Sequence, residues 1–415
     1  MTKKLMILGA SILQLPAIEK AKEMGLDVVV VDMNPDAIGF NVPGIEKEII
    51  STIDIQAVIS AAKRHKIDGI MTLATDMPMR TVAAVANEMN LIGIDEETAL
   101  KATNKAEMRK ALQLNNVPIP KFYVVSNKDE YKEVVKQFNV PFIVKPADSS
   151  GSRGIFEVKD IHNDDLIIEA YDYCHPFSRV GDVVVEEYME GPEVSVETLT
   201  INGECHVIQI TDKLTTGAPH YVEMGHSQPT MLSNEIAEQI SKVAKAANKA
   251  IGIKNGPSHT EIIVTKEGPK IVELGARLGG DNITTHLVPL STGVNMVECC
   301  IKIALGEIPN INKKWNKGSA IRYFDQKQGY IKSIDGIEEA KEIPGVKQIS
   351  IVHGVGENVT EVSSSGSRIG FVIAQGLNEN DAIKLCENTL KRISIKIEEN
   401  DENSCNSVKI GRAHV

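Results

Sequence analysis

The segment "TEIIVTKEGPKIVELGAR", residues 260–277, predicts a β-hairpin: two apolar runs separated by a short polar connection. Residues 266–268 would form a three-residue loop in which Gly268 supplies the positive φ that this connection requires. In that register residue 263 pairs with residue 271. The length of the turn therefore determines which residues of the two strands face each other.

The same register places two acids, Glu261 and Glu273, directly opposite each other on one face. Their Cβ atoms would lie ~4.5–5.5 Å apart, and like charges at that separation are destabilising. A bound cation removes the repulsion, and oxygen-only ligands suit Mg²⁺ shared with substrate phosphates. The alternative is a different register with one glutamate facing solvent. Arg277 follows closely, and its planar charge suits a phosphoryl or carboxylate oxygen.

Composition narrows the class of protein. The chain has 415 residues, 42% hydrophobic and 24% charged, with a formal net charge of −11 and 4% aromatic residues. This profile predicts several globular domains and disfavours nucleic-acid or membrane partners. Six cysteines without a regular spacing, and no secretory leader in "MTKKLMILGAS", favour a cytoplasmic location.

The pattern of elements predicts an α/β region followed by α+β regions. Alternating strands and helices over residues 1–94 indicate a parallel βαβ domain. Residues 95–310 read as a two-lobed α+β domain, which includes a strand over residues 204–211. It ends in a long helix at about 283–304, with Asp281 and Asn282 as candidate caps. Residues 317–399 read as a small accessory domain. The polar segment "NDENSCNS" predicts a disordered tail over residues 400–415, and "IGRAHV" back-translates to a common sequencing-adapter read, which leaves open whether the tail is native.

Two further segments are candidates for phosphate and nucleotide contacts. In "VKPADSSGSRG", residues 144–154, Lys145 ends a strand and a flexible loop exposes backbone N–H groups that can surround phosphate oxygens. In "VVVEEYMEGPEVSVET", residues 183–198, a turn joins two strands and can offer backbone groups to an adenine edge and a carboxylate to a ribose. Taken alone, each segment is also compatible with an ordinary hairpin.

These motifs, in this order, resemble the ATP-grasp superfamily, and most closely its bacterial L-amino acid ligases. The resemblance covers Lys4 to about Glu399 and implies a pre-ATP-grasp domain, a two-lobed ATP-grasp domain with a lid at residues 148–154, and an accessory domain. It implies ATP and Mg²⁺ (or Mn²⁺) as cofactors. It also implies small-molecule carboxylate and amine substrates, and leaves the assembly open between a monomer and a homodimer.

The resemblance assigns roles residue by residue. Phosphate contacts would come from Lys105 and Lys145, and the metal ligands would be Glu261 and Glu273. Lys145 and Arg277 would be catalytic, with Arg277 on the reacting acyl phosphate. The lid would contribute Ser149, Ser150, Gly151, Ser152 and Gly154. Adenine would be held by Glu186, Glu187 and Met189, and the ribose by Glu193.

A substrate segment and one departure complete the comparison. "HYVEMGHSQP", residues 220–229, resembles the stretch of L-amino acid ligases in which a Glu and a His line the amino-acid pocket, here Glu223 and His226 beside Arg277. A solvated glutamate and a structural histidine remain the alternative. Gly275 stands where many relatives carry an Asn metal ligand, which leaves the number of metal ions open.

The resemblance implies ATP-dependent ligation of a carboxylate to an amine through an acyl phosphate, with amino acids as substrates, a dipeptide as product, and release of ADP and phosphate. Three other interpretations stay open. One is a purine-pathway or carbamoyl phosphate synthetase-like ligase, and another is an ATP-binding regulator without catalysis. The third is an NAD-dependent dehydrogenase, suggested by "LGAS" and Asp32, although Gly-x-Gly-x-x-Gly is not met.

Overall fold

The computed structural model describes residues 2–149, 151, 153–217 and 221–398. Two of the lid candidates, Ser150 and Ser152, lie outside the described residues, as do the predicted tail and the start of the substrate segment. Within the described part, the mixed α/β and α+β architecture is confirmed.

The N-terminal region forms a parallel sheet, as predicted. Its strands lie in the order β3-β2-β1-β4, and all pairs are parallel. Strands β1, β2 and β4 are almost fully buried because helices cover the sheet, which explains their continuous apolar sequences. The elements are β1 (Lys4–Leu8), α1 (Leu15–Glu23), β2 (Asp27–Val31), β3 (Glu46–Glu48), α2 (Ile55–His65), β4 (Gly69–Thr72) and α3 (Pro78–Met89).

Residues 96–187 supply two helices and then a small antiparallel sheet of order β5-β8-β6-β7. Asn104 caps the second helix by accepting a hydrogen bond from the backbone of Glu107. That cap fixes the position of Lys105 at the first helical residue. The elements are α4 (Glu96–Thr103), α5 (Lys105–Leu114), β5 (Phe122–Val125), α6 (Lys128–Val135), β6 (Phe142–Pro146), β7 (Phe156–Val158), α7 (Asp164–Cys174) and β8 (Val183–Glu187).

A large antiparallel sheet and the small sheet together enclose the pocket that is described below. Helix α8 covers one face through its apolar stripe, Ile240, Ala244, Ala247 and Ile251, all fully buried. The opposite face carries the polar residues discussed below. The elements are β9 (Glu193–Ile201), β10 (Glu204–Thr215), β11 (Glu223–Gln228), α8 (Asn234–Ile251), β12 (Gly256–Thr265) and β13 (Gly268–Gly275).

The single long helix predicted for residues 283–304 is wrong. The chain forms a π-helical turn over Ile283–Leu287, then α9 (Val288–Thr292) and α10 (Met296–Ala304). Gly293 has φ +78 and ends α9, and Asn295 caps α10. The resulting bend is 113°. Among the described residues, no single helix has the length and apolarity to span a membrane; only this bent pair, taken together, meets those criteria.

The C-terminal region continues the large sheet. Strands β14, β18 and β16 complete its order, β13-β12-β9-β10-β11-β14-β18-β16, and the others form a sheet of order β17-β15-β19. This continuity holds the loop at residues 363–368 beside the cleft. The elements are β14 (Gly318–Tyr323), β15 (Gly329–Asp335), α11 (Ile337–Lys341), β16 (Val346–Ile351), β17 (Asn358–Val359), β18 (Gly370–Gly376), α12 (Glu379–Leu390) and β19 (Ser394–Glu398).

Candidate active site

The hairpin brings Glu261 and Glu273 opposite each other, but not through the predicted register. Thr265 pairs with Gly268, and residue 263 pairs with residue 270, one position away from the prediction. A bulge between Glu261 and Ile262 shifts the pairing by one residue and restores the opposition of the two acids. The predicted pair is therefore confirmed, although the loop register is wrong.

A pocket of about 960 Å³ lies between the small sheet, the large sheet and the C-terminal region. Every candidate site residue within the described part of the chain lines it. Its far end is bordered by Ser363–Ser365 of the C-terminal region. The structure therefore brings the candidates together in one cleft, while their individual roles stay predictions.

Each of the two opposed carboxylates accepts a hydrogen bond from a lysine. Lys213 Nζ lies 2.8 Å from Glu261 Oε1, and Lys105 Nζ lies 3.0 Å from Glu273 Oε1. Both carboxylates remain partly exposed to the pocket, with side-chain exposures of 25% and 33%. Two accessible carboxylates in one cleft fit a Mg²⁺ that takes its remaining ligands from water and phosphate. Among the described residues, no larger group of metal-ligating side chains occurs.

Lys213 is the centre of an acidic cluster. Its ammonium lies 2.6 Å from Glu193 Oε1, 2.8 Å from Glu261 Oε1 and 3.6 Å from Glu223 Oε1. Burial alone would lower the pKa of Lys213, but the three carboxylates hold that pKa well above its usual value. The lysine is therefore charged throughout the neutral pH range.

A second cation lies behind Glu261. His259 Nδ1 lies 2.6 Å from Glu197 Oε1, and its Nε2 lies 3.6 Å from Glu261 Oε1. Burial opposes protonation of His259, but the adjacent Glu197 carboxylate outweighs it and raises the pKa of the imidazole to about 9. Burial also acts to raise the pKa of Glu261, yet Lys213 and His259 hold that pKa well below its usual range. Glu261 is consequently an anion, as a metal ligand must be.

Arg277 is positioned by the N-terminal region. Its Nε donates to Asp76 Oδ1 at 2.7 Å, and both side chains are largely buried. Gly275 lies against this pair, since a Cβ there would be 3.0 Å from Asp76 Oδ1 and 3.2 Å from Arg277 Nε. The departure from Asn at this position therefore has a local reason: the space of a side chain is taken by the ion pair.

The adenine-side candidates divide into an internal group and a pocket-facing group. The carboxylate of Glu186 is buried and accepts from Arg109 Nε at 2.6 Å and from Lys145 Nζ at 2.9 Å. Burial acts to raise the pKa of Glu186, but the two cations lower it to about 2. Because the Glu186 carboxylate already accepts hydrogen bonds from two internal cations, we expect the neighbouring pocket-lining residues Glu187 and Met189 to contact the adenine base instead.

The described lid residues lie at the pocket mouth. Ser149 accepts a hydrogen bond from Lys105 through its carbonyl oxygen, at 2.6 Å. Gly151 and Gly154 have φ of +67 and +76, and a Cβ at Gly154 would lie 2.7 Å from the Phe177 side chain. Glycine is thus required at residue 154 both by backbone conformation and by packing.

The substrate-side candidates meet the C-terminal region. His226 is almost fully buried; its Nε2 lies 3.4 Å from Asp281 Oδ2, and its Nδ1 has no partner among the described residues. Asp281 does not cap a helix as predicted. Its φ is +48, and it accepts two hydrogen bonds, each 2.8 Å, from Arg368. The Arg368 guanidinium in turn stacks on Tyr323, 3.7 Å from the ring centroid.

Several residues of the site were not found from the sequence. Lys213 was missed because β10 was expected to end at residue 211, whereas it continues to Thr215. Asp76 and Arg368 lie far along the chain from the residues that they contact. If the strand had been extended to Thr215, the alternation of side chains between the two faces of the sheet could have indicated that Lys213 faces the pocket.

Comparison with known proteins supports the arrangement. A family model described as an ATP-grasp domain matches residues 138–285, and a model of the L-amino acid ligase C-terminal domain 2 matches residues 322–398. An L-arginine-specific L-amino acid ligase of Bacillus subtilis is 25% identical over 314 residues, covering 74% of this chain and 75% of the relative.

Two further relatives cover most of the chain. A phosphoribosylamine–glycine ligase of Caldanaerobacter subterraneus is 23% identical, covering 84% of this chain and 86% of the relative. The crystal structure of an L-amino acid ligase from Bacillus licheniformis superposes with a TM-score of 0.83 at 25% identity, covering 96% of this chain and 99% of that one.

These matches favour a ligase over the dehydrogenase interpretation, because the ATP-grasp model matches residues 138–285 and the relatives named above are ligases. They agree with the pocket between two lobes and with the accessory strands that extend the large sheet. The chain therefore contains an ATP-grasp domain followed by the C-terminal domain of L-amino acid ligases, and over most of its length it is similar to ligases that have this architecture.

Proposed function

We propose that this protein joins the carboxylate of one amino acid to the amine of another, through an acyl phosphate, with release of ADP and phosphate. The observation that carries the proposal is the position of Glu223 in the same pocket as Glu261, Glu273 and Arg277. An amino-acid substrate needs a site for its ammonium group beside the site of phosphoryl transfer, and a carboxylate with open acceptor sites provides one.

Glu223 is available for that role. Its nearest cation is Lys213, at 3.6 Å, which is too long for a hydrogen bond, and Lys213 already donates to Glu193 and Glu261. The Glu223 side chain is 25% exposed. Within the described residues, no hydrogen bond to this carboxylate is found, so its acceptor sites can bind a substrate ammonium group.

The charged residues of the pocket support phosphoryl transfer by positioning and charge neutralisation. A divalent ion held by Glu261 and Glu273 would neutralise phosphate charge as it develops. Arg277, fixed by Asp76, presents a planar guanidinium to the acyl phosphate. Lys105 and Lys145 also line this pocket, where they can contact the nucleotide phosphates.

A purine-pathway activity is the second candidate, since the phosphoribosylamine–glycine ligase match covers most of both chains. The family match over residues 322–398 favours the amino-acid ligase instead. The two candidates differ in the amine: a free amino acid in one case and a phosphorylated sugar amine in the other.

The test is phosphate release from ATP with all pairs of amino acids, followed by mass spectrometry of the products. We expect release that requires both partners, and a dipeptide as the product. The Glu273→Gln variant should keep its fold and lose turnover by roughly 100-fold or more, as expected when an electrostatic contact to the transition state is lost. Wild-type-like release by that variant, or release only with a sugar amine, would contradict the proposal.

A further inference from the structure

A row of charged side chains crosses five adjacent strands of the large sheet. In spatial order the residues are Glu273 on β13, Glu261 on β12, Glu193 on β9, Lys213 on β10 and Glu223 on β11. Four of the five are acids. Lys213 is the one cation in this row, and its side chain is only 5% exposed.

Lys213 contacts acids with three different assigned roles. Glu193 is the ribose candidate, Glu261 the metal candidate and Glu223 the substrate candidate. The short contacts are to Glu193 and Glu261, at 2.6 Å and 2.8 Å. An ammonium in this position neutralises carboxylates that would otherwise repel one another in a partly buried cleft.

The contact to Glu261 has a consequence for metal binding. An ammonium 2.8 Å from a carboxylate oxygen competes with a divalent ion for that oxygen and repels it. The Glu273 carboxylate is paired in the same way, because Lys105 Nζ lies 3.0 Å from its Oε1. Both predicted metal ligands are therefore already paired with internal cations. A polyphosphate entering the cleft would supply the negative charge that allows lysines and metal to be accommodated together.

We propose that Lys213 is an internal counter-ion that keeps Glu261 from binding a divalent metal until nucleotide is present. Metal and nucleotide then enter the site together, and Lys213 passes from Glu261 toward the nucleotide. Lys213 is a positioning residue in this scheme. The inference rests on the proposed metal and nucleotide site, but it concerns the order of binding and not the reaction catalysed.

A purely structural role for Lys213 makes a different prediction. If the lysine only holds the acids together, its removal lowers the unfolding free energy and leaves the metal preference unchanged. If it excludes the metal, a neutral residue at 213 leaves Glu261 without its hydrogen-bonded cation, and the site then binds metal without nucleotide. The affinity gain should be at least roughly tenfold, the smaller end of the effect of an adjacent charge on a carboxylate.

The experiment measures Mn²⁺ binding directly, by loss of the free-ion EPR signal, with the full chain and without turnover. The variants are Lys213→Met and Lys213→Gln, both neutral, and Lys213→Arg, which keeps the charge. Lys110→Met is the matched control, since Lys110 pairs with Glu107 at 2.8 Å on the exposed surface. Each protein is titrated alone and with ADP, and its thermal unfolding is recorded.

We expect the wild type, Lys213→Arg and Lys110→Met to bind Mn²⁺ well only with ADP. A neutral variant that folds should bind Mn²⁺ alone at least tenfold more tightly than the wild type does. The gain should disappear when Glu261→Gln is added. Neutral variants that fold and bind Mn²⁺ no better than the wild type would overturn the inference. So would a wild type that binds Mn²⁺ equally well with and without ADP. Failure of the wild type to bind Mn²⁺ even with ADP would instead count against the proposed metal site.

Discussion

Asp76 and Arg277 are 201 positions apart in the chain and form an ion pair with a 2.7 Å hydrogen bond at the edge of the pocket. Asp76 follows β4 of the N-terminal sheet, whereas Arg277 follows β13 of the large sheet. Ala74 N also donates to Leu278 O at 3.3 Å beside this pair. The N-terminal region therefore fixes the orientation of the arginine that is predicted to contact the acyl phosphate.

The first prediction concerns Asp76→Asn. The amide keeps the size of the side chain but removes the charge that holds Arg277, so the guanidinium loses its orientation. We expect turnover to fall by roughly 100-fold, the effect of a small misplacement of a reacting group. ADP affinity, measured by calorimetry, should stay within about twofold of the wild type. Unchanged turnover would show that Arg277 is held in place by other contacts.

The second prediction concerns Gly275→Asn, which introduces the amide that the resemblance to ATP-grasp ligases implies as an extra metal ligand. A Cβ at this position would lie 3.0 Å from Asp76 Oδ1, so the new side chain should displace the Asp76–Arg277 pair. We expect turnover to decrease and metal affinity not to improve. Tighter Mn²⁺ binding together with full turnover would mean that the pocket accepts an extra ligand without cost.

The third prediction concerns Arg368 and Asp281, which join the C-terminal loop to the predicted substrate site. Removing one partner leaves a largely buried charge without its counter-charge, which costs roughly 3–5 kcal/mol when a buried pair is broken. We expect Arg368→Met and Asp281→Asn each to lower the unfolding free energy, and the double variant to lose less than their sum. Urea unfolding of the four proteins measures this coupling.

The exposed pair Lys341–Glu338 is a suitable control for that cycle. Its coupling should be below about 1 kcal/mol, as is usual for surface pairs. Additive losses at Arg368 and Asp281 would contradict the interpretation that they stabilise each other.

The fourth prediction is a pH dependence that comes from Glu186. Its pKa in the folded protein is about 2, below the usual 4.5, so its contribution to stability is fully present above about 4.5. The contribution is lost as pH falls through about 2, because Glu186 then takes up a proton in the folded state as well. We therefore expect the stability difference between the wild type and Glu186→Gln to be constant near neutral pH and to shrink in acid.

Urea unfolding of the two proteins, at neutral pH and at two points between about 4.5 and about 2, checks this. Asp172→Asn is the control, since Asp172 pairs with Lys128 on the exposed surface. A difference between wild type and Glu186→Gln that does not change with pH would contradict the assigned pKa.

The fold was largely predictable because its strands are bounded by clear turn signals and its N-terminal strands are continuously apolar. The local register of the hairpin and the bend in the helical segment were less predictable. The bulge beside Glu261 depends on how β12 fits both neighbouring strands, which the hairpin sequence alone does not encode. The bend at Gly293 was overlooked because the apolar pattern continues on both sides of it.

The site was predictable where its residues belong to local motifs, and not where they meet across the fold. Glu261 and Glu273 lie in one hairpin, so their opposition follows from a short stretch of sequence. Lys213 and Asp76 reach the pocket from other strands and another region. Contacts of that kind depend on strand order and domain packing, which a single sequence does not specify.

The central claim is that Glu261 and Glu273 together hold a divalent ion that carries the nucleotide. The most direct measurement is anomalous X-ray diffraction from crystals grown with Mn²⁺ and a non-hydrolysable ATP analogue. The account predicts an anomalous peak bonded to oxygens of both carboxylates and to the analogue's phosphates. A peak elsewhere in the cleft, or one bonded to neither carboxylate, would contradict it.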